Sequence, residues 1–211
     1  MKQLPAACSM YEAVLLNISE STVETAISYY GKKYSFSKVI RYIDRLADNL
    51  AAEFHVRKGD TVTLCMPNSP AALMMFYAAN KLGAIANLVH PFIPPEALKE
   101  NLKKTNSKLL LIYDLYKCGN FDFGIPTLVS DSSYFMGAAA KLYYKCTNKR
   151  TAFGYIPLEK YLKNRKNAHT SAEKFDENEA AVYLASGGTT GKPKIIVHNN
   201  KVFNQLCAKA E

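Results

Sequence analysis

The firmest constraint on this chain is an alternation of short apolar strands with helical segments between Thr61 and Ser130. Lys108 to Asp114 (KLLLIYD) is so continuously apolar that a strand there must be buried on both faces. A parallel sheet covered by helices meets that condition. Thr61 to Met66 (TVTLCM) is rich in strand formers and bounded by Gly59-Asp60 and Pro67-Asn68; Ile85 to His90 and Pro126 to Ser130 supply two more strands. Between them, Ser69 is placed to cap a helix with Pro70 at its first position, running through Leu73, Met74, Phe76, Tyr77 and Leu82 until Gly83 ends it. Pro94-Pro95-Glu96 opens another helix to Thr105, with Leu98 and Leu102 facing inward. This rhythm builds βαβ units, so the expected fold class is α/β, a mostly parallel sheet with helices on both faces.

The preceding residues read differently. Tyr11, Val14, Leu15 and Ile18 have helical spacing, and Ala26 to Phe36 reads as two strands around a Gly-Lys-Lys turn. Ser37 is the expected N-cap of a helix whose stripe is Val39, Ile40, Ile43, Leu46, Ala47, Leu50, Ala51 and Phe54. Asp44, Asp48 and Glu53 fall to its solvent side. The expected organisation is residues 1–57 as helix, hairpin and amphipathic helix, then residues 58–211 as the α/β unit.

At 211 residues, 48% hydrophobic and 21% charged, the chain can bury a sizeable core. Its longest apolar-rich stretch, Ala71 to Val89, is broken by Asn80, Lys81, Gly83 and Asn87, which suits a helix, turn and strand rather than a membrane span. MKQLPAACSMYEA has no continuous apolar run, so no signal peptide is expected. The five cysteines (Cys8, Cys65, Cys118, Cys146, Cys207) are scattered without a C-x-x-C pair; no metal site or disulfide framework is expected, and reduced thiols point to the cytoplasm. His55, His90, His169 and His198 are isolated and get no catalytic role, and the aromatic residues fall at core spacing.

The net charge is +9, with Lys145, Lys149, Arg150, Lys160, Lys163, Arg165 and Lys166 in one region against only Glu159 and Glu173. Such charge suits an anionic substrate. A nucleic-acid partner is not expected, since no helix-turn-helix, RNP or zinc-finger signature accompanies it. A solvated basic face is the simplest reading.

The segment richest in chemistry is Tyr183 to Lys194 (YLASGGTTGKPK). An apolar strand, Ala180 to Leu184, breaks into Ser186, Gly187, Gly188, Thr189, Thr190 and Gly191. Glycines allow main-chain N–H groups to approach a ligand closely, and the hydroxyls add donors. Successive N–H groups form an anion-binding concavity, with Lys192 and Lys194 at its mouth. This is not a Walker A loop, because Ser186 stands where its first Gly belongs and Pro193 where Ser or Thr belongs. A Gly/Thr-rich surface turn with two solvated lysines is the alternative from composition alone.

The residue order, S-G-G-T-T-G-K-P-K after Tyr-Leu-Ala, resembles the phosphate loop of the adenylate-forming superfamily, which includes acyl-CoA synthetases, peptide-synthetase adenylation domains and luciferase-like ligases. A second block is similar to the same superfamily: K-G-D at Lys58, P-N-S-P at Pro67, K-L-G-A-I at Lys81, His90-Pro91 where Asn-Pro is usual, P-E-x-L at Pro95 and S-K-L-L-L at Ser107. Tyr34-Ser35-Phe36 and Val56 to Asp60 extend it, leaving Asp131 to Thr170 unmatched. The resemblance implies the N-terminal subdomain of an acyl-CoA synthetase-like fold. It implies ATP with Mg2+, a fatty or similar hydrophobic acid and coenzyme A as ligands, with a homodimer as the candidate assembly. Ser186, Gly187, Gly188, Thr189, Thr190 and Gly191 would wrap the β- and γ-phosphates, Lys194 would add a charged contact, and Lys192 a lesser one. Ile195 and Asn200 depart from the pattern, which has Gly and often His at those places. The superfamily's later motifs do not occur before Glu211, so the expectation is an N-terminal piece without turnover of its own and without catalytic residues. A peptide-synthetase adenylation domain and a non-catalytic nucleotide- or partner-binding protein are the competing readings.

Overall fold

A computed structural model describes residues 8–18, 23–163, 170–174, 176, 178–185 and 194–209. In chain order the elements are α1 (Met10–Ile18), the hairpin β1 (Thr25–Tyr29) and β2 (Lys32–Ser35), α2 (Phe36–Glu53), β3 (Thr61–Cys65), α3 (Pro70–Lys81), β4 (Ile85–Val89), α4 (Pro95–Lys104) and β5 (Ser107–Tyr113). They continue with β6 (Thr127–Ser130), a 3-10 turn (Ser132–Phe135), α5 (Ala138–Thr147), β7 (Ile156–Pro157), α6 (Glu159–Lys163), β8 (Val182–Ala185), β9 (Ile195–His198) and α7 (Asn200–Lys209). The main sheet has seven strands in the order β7-β6-β5-β3-β4-β8-β9, all parallel except β9. The expected fold class holds.

The strands lie where burial demands. Leu109, Leu110, Leu111 and Ile112 of β5 are fully buried, so both faces of that strand are covered. Alternation along β4 shows what covers each face. Leu88 packs beside Phe76 and Tyr77 of α3, whereas the Asn87 amide reaches α4, donating to Asn101 Oδ1 at 2.7 Å. The same amide donates to Thr63 Oγ1 of β3 at 2.8 Å. Thr63 and Ser107 hydroxyls are 2.6 Å apart, and Ser107 lies 2.7 Å from Thr105 Oγ1 at the end of α4. Three adjacent strands and one helix thus share a buried polar network. Among the described residues no buried side-chain nitrogen or oxygen lacks a partner.

Helix termini follow local chemistry in one case and not in another. Ser69 Oγ accepts from Ala72 N–H with Pro70 at the first turn, and Gly83 at φ +65° closes α3, as expected. A side chain at Gly83 would sit 2.9 Å from Lys58 Cγ. At α2 the cap residue is Ser35 rather than Ser37, and it makes no side-chain capping bond; the two hydroxyls lie 3.0 Å from each other instead. The hairpin turns at Tyr30 and Gly31, which leaves both lysines in β2. Asp48, expected at the solvent side of α2, is buried and accepts from Thr170 N–H at 3.0 Å and Thr170 Oγ1 at 2.7 Å. Asp44 is half-buried and pairs with Lys81 at 2.8 Å.

Glu159 accepts from Asp131 N–H at 2.9 Å and from Ser130 Oγ at 3.1 Å. Burial nevertheless raises its carboxyl above the ordinary value of 4.5, outweighing those hydrogen bonds, which lower it. The folded state therefore holds this proton more tightly than the unfolded chain does. Stability from this group is present below pH 4.5 and is lost as pH rises through the raised folded value. Glu159→Gln keeps an acceptor for both donors, so it should flatten that limb of the pH–stability curve measured by urea unfolding.

Asn87→Ala should lower stability by about 1–3 kcal/mol, because Thr63 and Asn101 would keep their burial and lose their donor. Urea unfolding should show a lower midpoint at unchanged slope; an unchanged midpoint would mean that the network bears no weight. Thiol labelling gives a third check. Cys65 is fully buried and burial pushes its thiol up to about 12, while Cys146 is exposed. Mass spectrometry after brief native labelling should find Cys146 modified and Cys65 untouched until the chain is unfolded.

Candidate functional site

All parallel strands of one sheet end at the same edge, and in open α/β sheets ligands bind at that carboxyl edge. Here the edge carries Met66 to Ser69 after β3, His90-Pro91 after β4, Asp114 after β5 and Ser130-Asp131 after β6. β8 lies parallel to β4 with Ala86 opposite Val182, so Ala185 arrives at this edge too. β9 then returns antiparallel, with Ala185 opposite Ile195 and Val182 opposite His198. The chain between must leave and re-enter the sheet at neighbouring points. The stem is firm at its base, where Ala181 and Val182 are buried, and opens toward the edge, where Ala185 is exposed.

Ser186, Gly187, Gly188, Thr189, Thr190, Gly191 and Lys192 lie outside the described residues. Lys194 is exposed and stands immediately before β9. The sequence-marked strand before this segment is therefore present as β8, and both ends of the segment are fixed by backbone pairing.

Beside the stem lies a groove of about 940 Å³ that sequence reasoning did not find. Leu64 and Leu88 form its floor, Phe76 and Tyr77 of α3 one wall, and Met10 and Phe203 of α1 and α7 the other. Asn68, Ser69, His90 and Asn204 supply its polar groups. Its lining comes from segments as far apart as residues 10 and 204, which is why no local signal announces it. His90 Nδ1 accepts from Phe92 N–H at 3.3 Å, which orients the imidazole within its own turn.

Asn200, where the superfamily pattern often has His, is a structural junction. Its Oδ1 accepts from Asn80 Nδ2 at 2.7 Å and Met10 N–H at 3.2 Å, joining α7 to α3 and α1. Asn80 Oδ1 in turn accepts from Tyr11 N–H at 2.9 Å. Tyr11 donates to Asp44 at 2.8 Å, and burial with this contact raises the phenol, so it remains a donor. Asn204 Nδ2 donates to the Cys8 carbonyl at 2.7 Å. The α1–α3–α7 wall is thus held by amide pairs. Among the described residues no group of three or more His, Cys, Asp and Glu is placed to hold a metal ion. What the described geometry offers is a carboxyl edge reached by the β8–β9 stem, with an apolar groove beside it.

Comparison with known proteins agrees with this architecture. The family model for AMP-binding enzymes matches residues 17–211. The acetyl-coenzyme A synthetase of Wolinella succinogenes is 31% identical over 179 residues, covering 77% of this chain and 27% of that protein. The long-chain-fatty-acid–CoA ligase of Bacillus subtilis is 26% identical over 203 residues, covering 88% of this chain and 36% of its own. An anthranilate CoA ligase solved in complex with anthranoyl-AMP shares the fold at TM-score 0.76 and 18% identity, over 97% of this chain and 37% of its own. The chain therefore spans about a quarter to a third of the length of these curated relatives, 27% and 36%. With a family match across nearly all of its length and a mostly parallel sheet in which β8 joins β4 and β9 returns beside it, the chain belongs to the AMP-binding, adenylate-forming enzymes.

Proposed function

We propose that this chain is the N-terminal part of an ATP-dependent carboxylate–CoA ligase. The observation that carries the reading is the stem of β8 and β9, whose paired ends Ala185 and Ile195 reach the carboxyl edge of a parallel sheet on either side of a Gly/Thr-rich stretch of sequence. In the proposed reaction the acid's carboxylate attacks the α-phosphorus of ATP, forming an acyl-adenylate and releasing pyrophosphate. The thiol of coenzyme A then attacks the acyl carbon and loses its proton, forming the thioester as AMP leaves. Main-chain N–H groups of Ser186 to Gly191 and the Lys194 ammonium would stabilise the charge that gathers on the leaving pyrophosphate. Mg2+, arriving with ATP, would supply further positive charge against the phosphates. The apolar groove beside the stem supports a fatty or similar hydrophobic acid as substrate. Residues 1–57 would serve as a buttress and 58–211 as the α/β unit bearing the loop. Turnover is proposed for a protein of the relatives' length, and a site in the cytoplasm follows from the substrates.

The test has two arms. In a protein of the relatives' length that contains this segment, carboxylate-dependent exchange of pyrophosphate into ATP should occur, and Lys194→Ala should slow it by on the order of 10²-fold. Unchanged exchange in that variant would remove Lys194 from the site. In the 211-residue chain, Mg·ATP should raise the melting temperature, since a ligand that binds only the folded state stabilises it. Exchange that needs no acid would overturn the reaction itself.

A further inference from the structure

The segment between Asp131 and Glu159 contains no acidic residue and carries Lys141, Lys145, Lys149 and Arg150. At its centre is α5, a helix in which no residue is buried. Two contacts hold it. Gly137 N–H donates to the Tyr30 carbonyl at 2.9 Å, so close that an added Cβ would meet that oxygen at 3.0 Å. About two turns further on, Tyr144 donates to both Asp114 oxygens at 3.0 and 3.1 Å.

Tyr144 marks the inward side of the helix. At 100° per residue, the opposite side carries Ala138, Leu142 and Cys146. All three are exposed, Leu142 by 67%, and Tyr143 beside them by 72%. An ordinary surface helix turns its apolar stripe to the core. This one presents it to solvent.

The flank is basic. Lys141 and Lys145 are one helical turn apart, on the same side of the apolar crest. Toward the hairpin they are joined by Lys32 and Lys38, whose ammonium groups both lie over the Tyr34 ring, at 5.2 and 5.4 Å. Burial and the charges of Lys38 and Lys141 hold the Lys32 ammonium below its ordinary value, so these cations from three elements crowd one another. Among the described residues none of these six cations forms an ion pair.

We propose that α5 and the cations around it form an interfacial site that docks the protein on an anionic lipid bilayer. Ala138, Leu142 and Cys146 enter the boundary between headgroups and acyl chains, and Lys141, Lys145, Lys149 and Arg150 meet the lipid phosphates. A bilayer supplies both chemistries at the right levels, an apolar layer under an anionic one. A nucleic acid would use the cations and leave the apolar crest in water. Binding through one ten-residue helix is reversible and salt-sensitive. Nothing in this inference depends on the reaction proposed above.

Co-sedimentation of the 211-residue chain with vesicles tests it. The chain should bind vesicles of phosphatidylcholine mixed with phosphatidylglycerol and not vesicles of phosphatidylcholine alone, and salt should release it. Leu142→Glu should weaken binding about tenfold or more, as loss of a buried leucine implies. Lys145→Ala should weaken it about fivefold. Both positions are exposed, so the variants should keep the wild-type melting temperature. An environment-sensitive fluorophore on Cys146 should shift to the blue only with the anionic vesicles. Failure to sediment with the mixed vesicles overturns the proposal. So does sedimentation that Leu142→Glu leaves unchanged; retention of that variant on heparin would then assign the lysines to a polyanion or protein partner.

Discussion

The structure depends on β3 being paired in parallel on both sides, with β4 on one side and β5 on the other. Parallel pairing fixes where each strand ends, so the residues that follow β3, β4 and β5 gather at one edge. A slip of one residue would turn every side chain of a strand to the wrong face. In β4 that slip would drive Asn87 into the apolar layer against α3 and place Leu88 among the hydroxyls of Thr63, Ser107 and Thr105. The polar network is therefore a device for register as much as for cohesion. A buried amide with satisfied partners is stable only in the arrangement that satisfies it.

From that register the position of the β8–β9 stem follows. β8 joins the sheet at the side of β4 that β3 leaves free. Once paired there it points toward the common carboxyl edge. β9 then closes the stem, and α7 is carried back over α3, where Asn200 and Asn80 lock it. α1 is fixed by the same amides, so one cluster of side chains shapes the groove and steadies the stem beside it. An Asn at position 200 suits this task, because its carbonyl accepts from two donors at once. A catalytic or substrate role there would compete with those bonds.

Legibility in the sequence tracks how local each cause is. The α/β class was readable because burial of Leu109 to Ile112 on both faces is a property of a few neighbouring residues. The capping of α3 was readable for the same reason: Ser69 and Pro70 act within one turn. The burial of Asp48 was not, because its partner Thr170 is 122 residues away. Ser37 is the start that local chemistry marks for α2, but the helix begins two residues earlier, after Ser35, which pairs with Thr25 in the hairpin, a tertiary cause. β7, two residues long, has no periodicity to detect. The Gly/Thr-rich segment from Ser186 to Lys194 was legible as a string, since its residues are consecutive. The groove was not, since its walls meet only after the sheet has formed.

Charge shows the same division between local and assembled causes. Part of the basic excess is absorbed by pairing: Lys81 lies 2.8 Å from Asp44, Lys108 2.8 Å from Asp60, and Lys58 2.8 Å from Glu179. Lys81 ties α3 to α2, and Lys108 ties β5 to the turn before β3, so these lysines serve the fold. Lys32, Lys38 and Lys141 are close enough for their charges to act on one another, and among the described residues none of them forms an ion pair, which costs free energy. An apolar crest held outward beside them costs more in water. A fold that bears both costs at one place is most simply explained by a ligand that relieves both together. This argument makes salt and lipid composition, rather than affinity alone, the discriminating variables for the surface around α5.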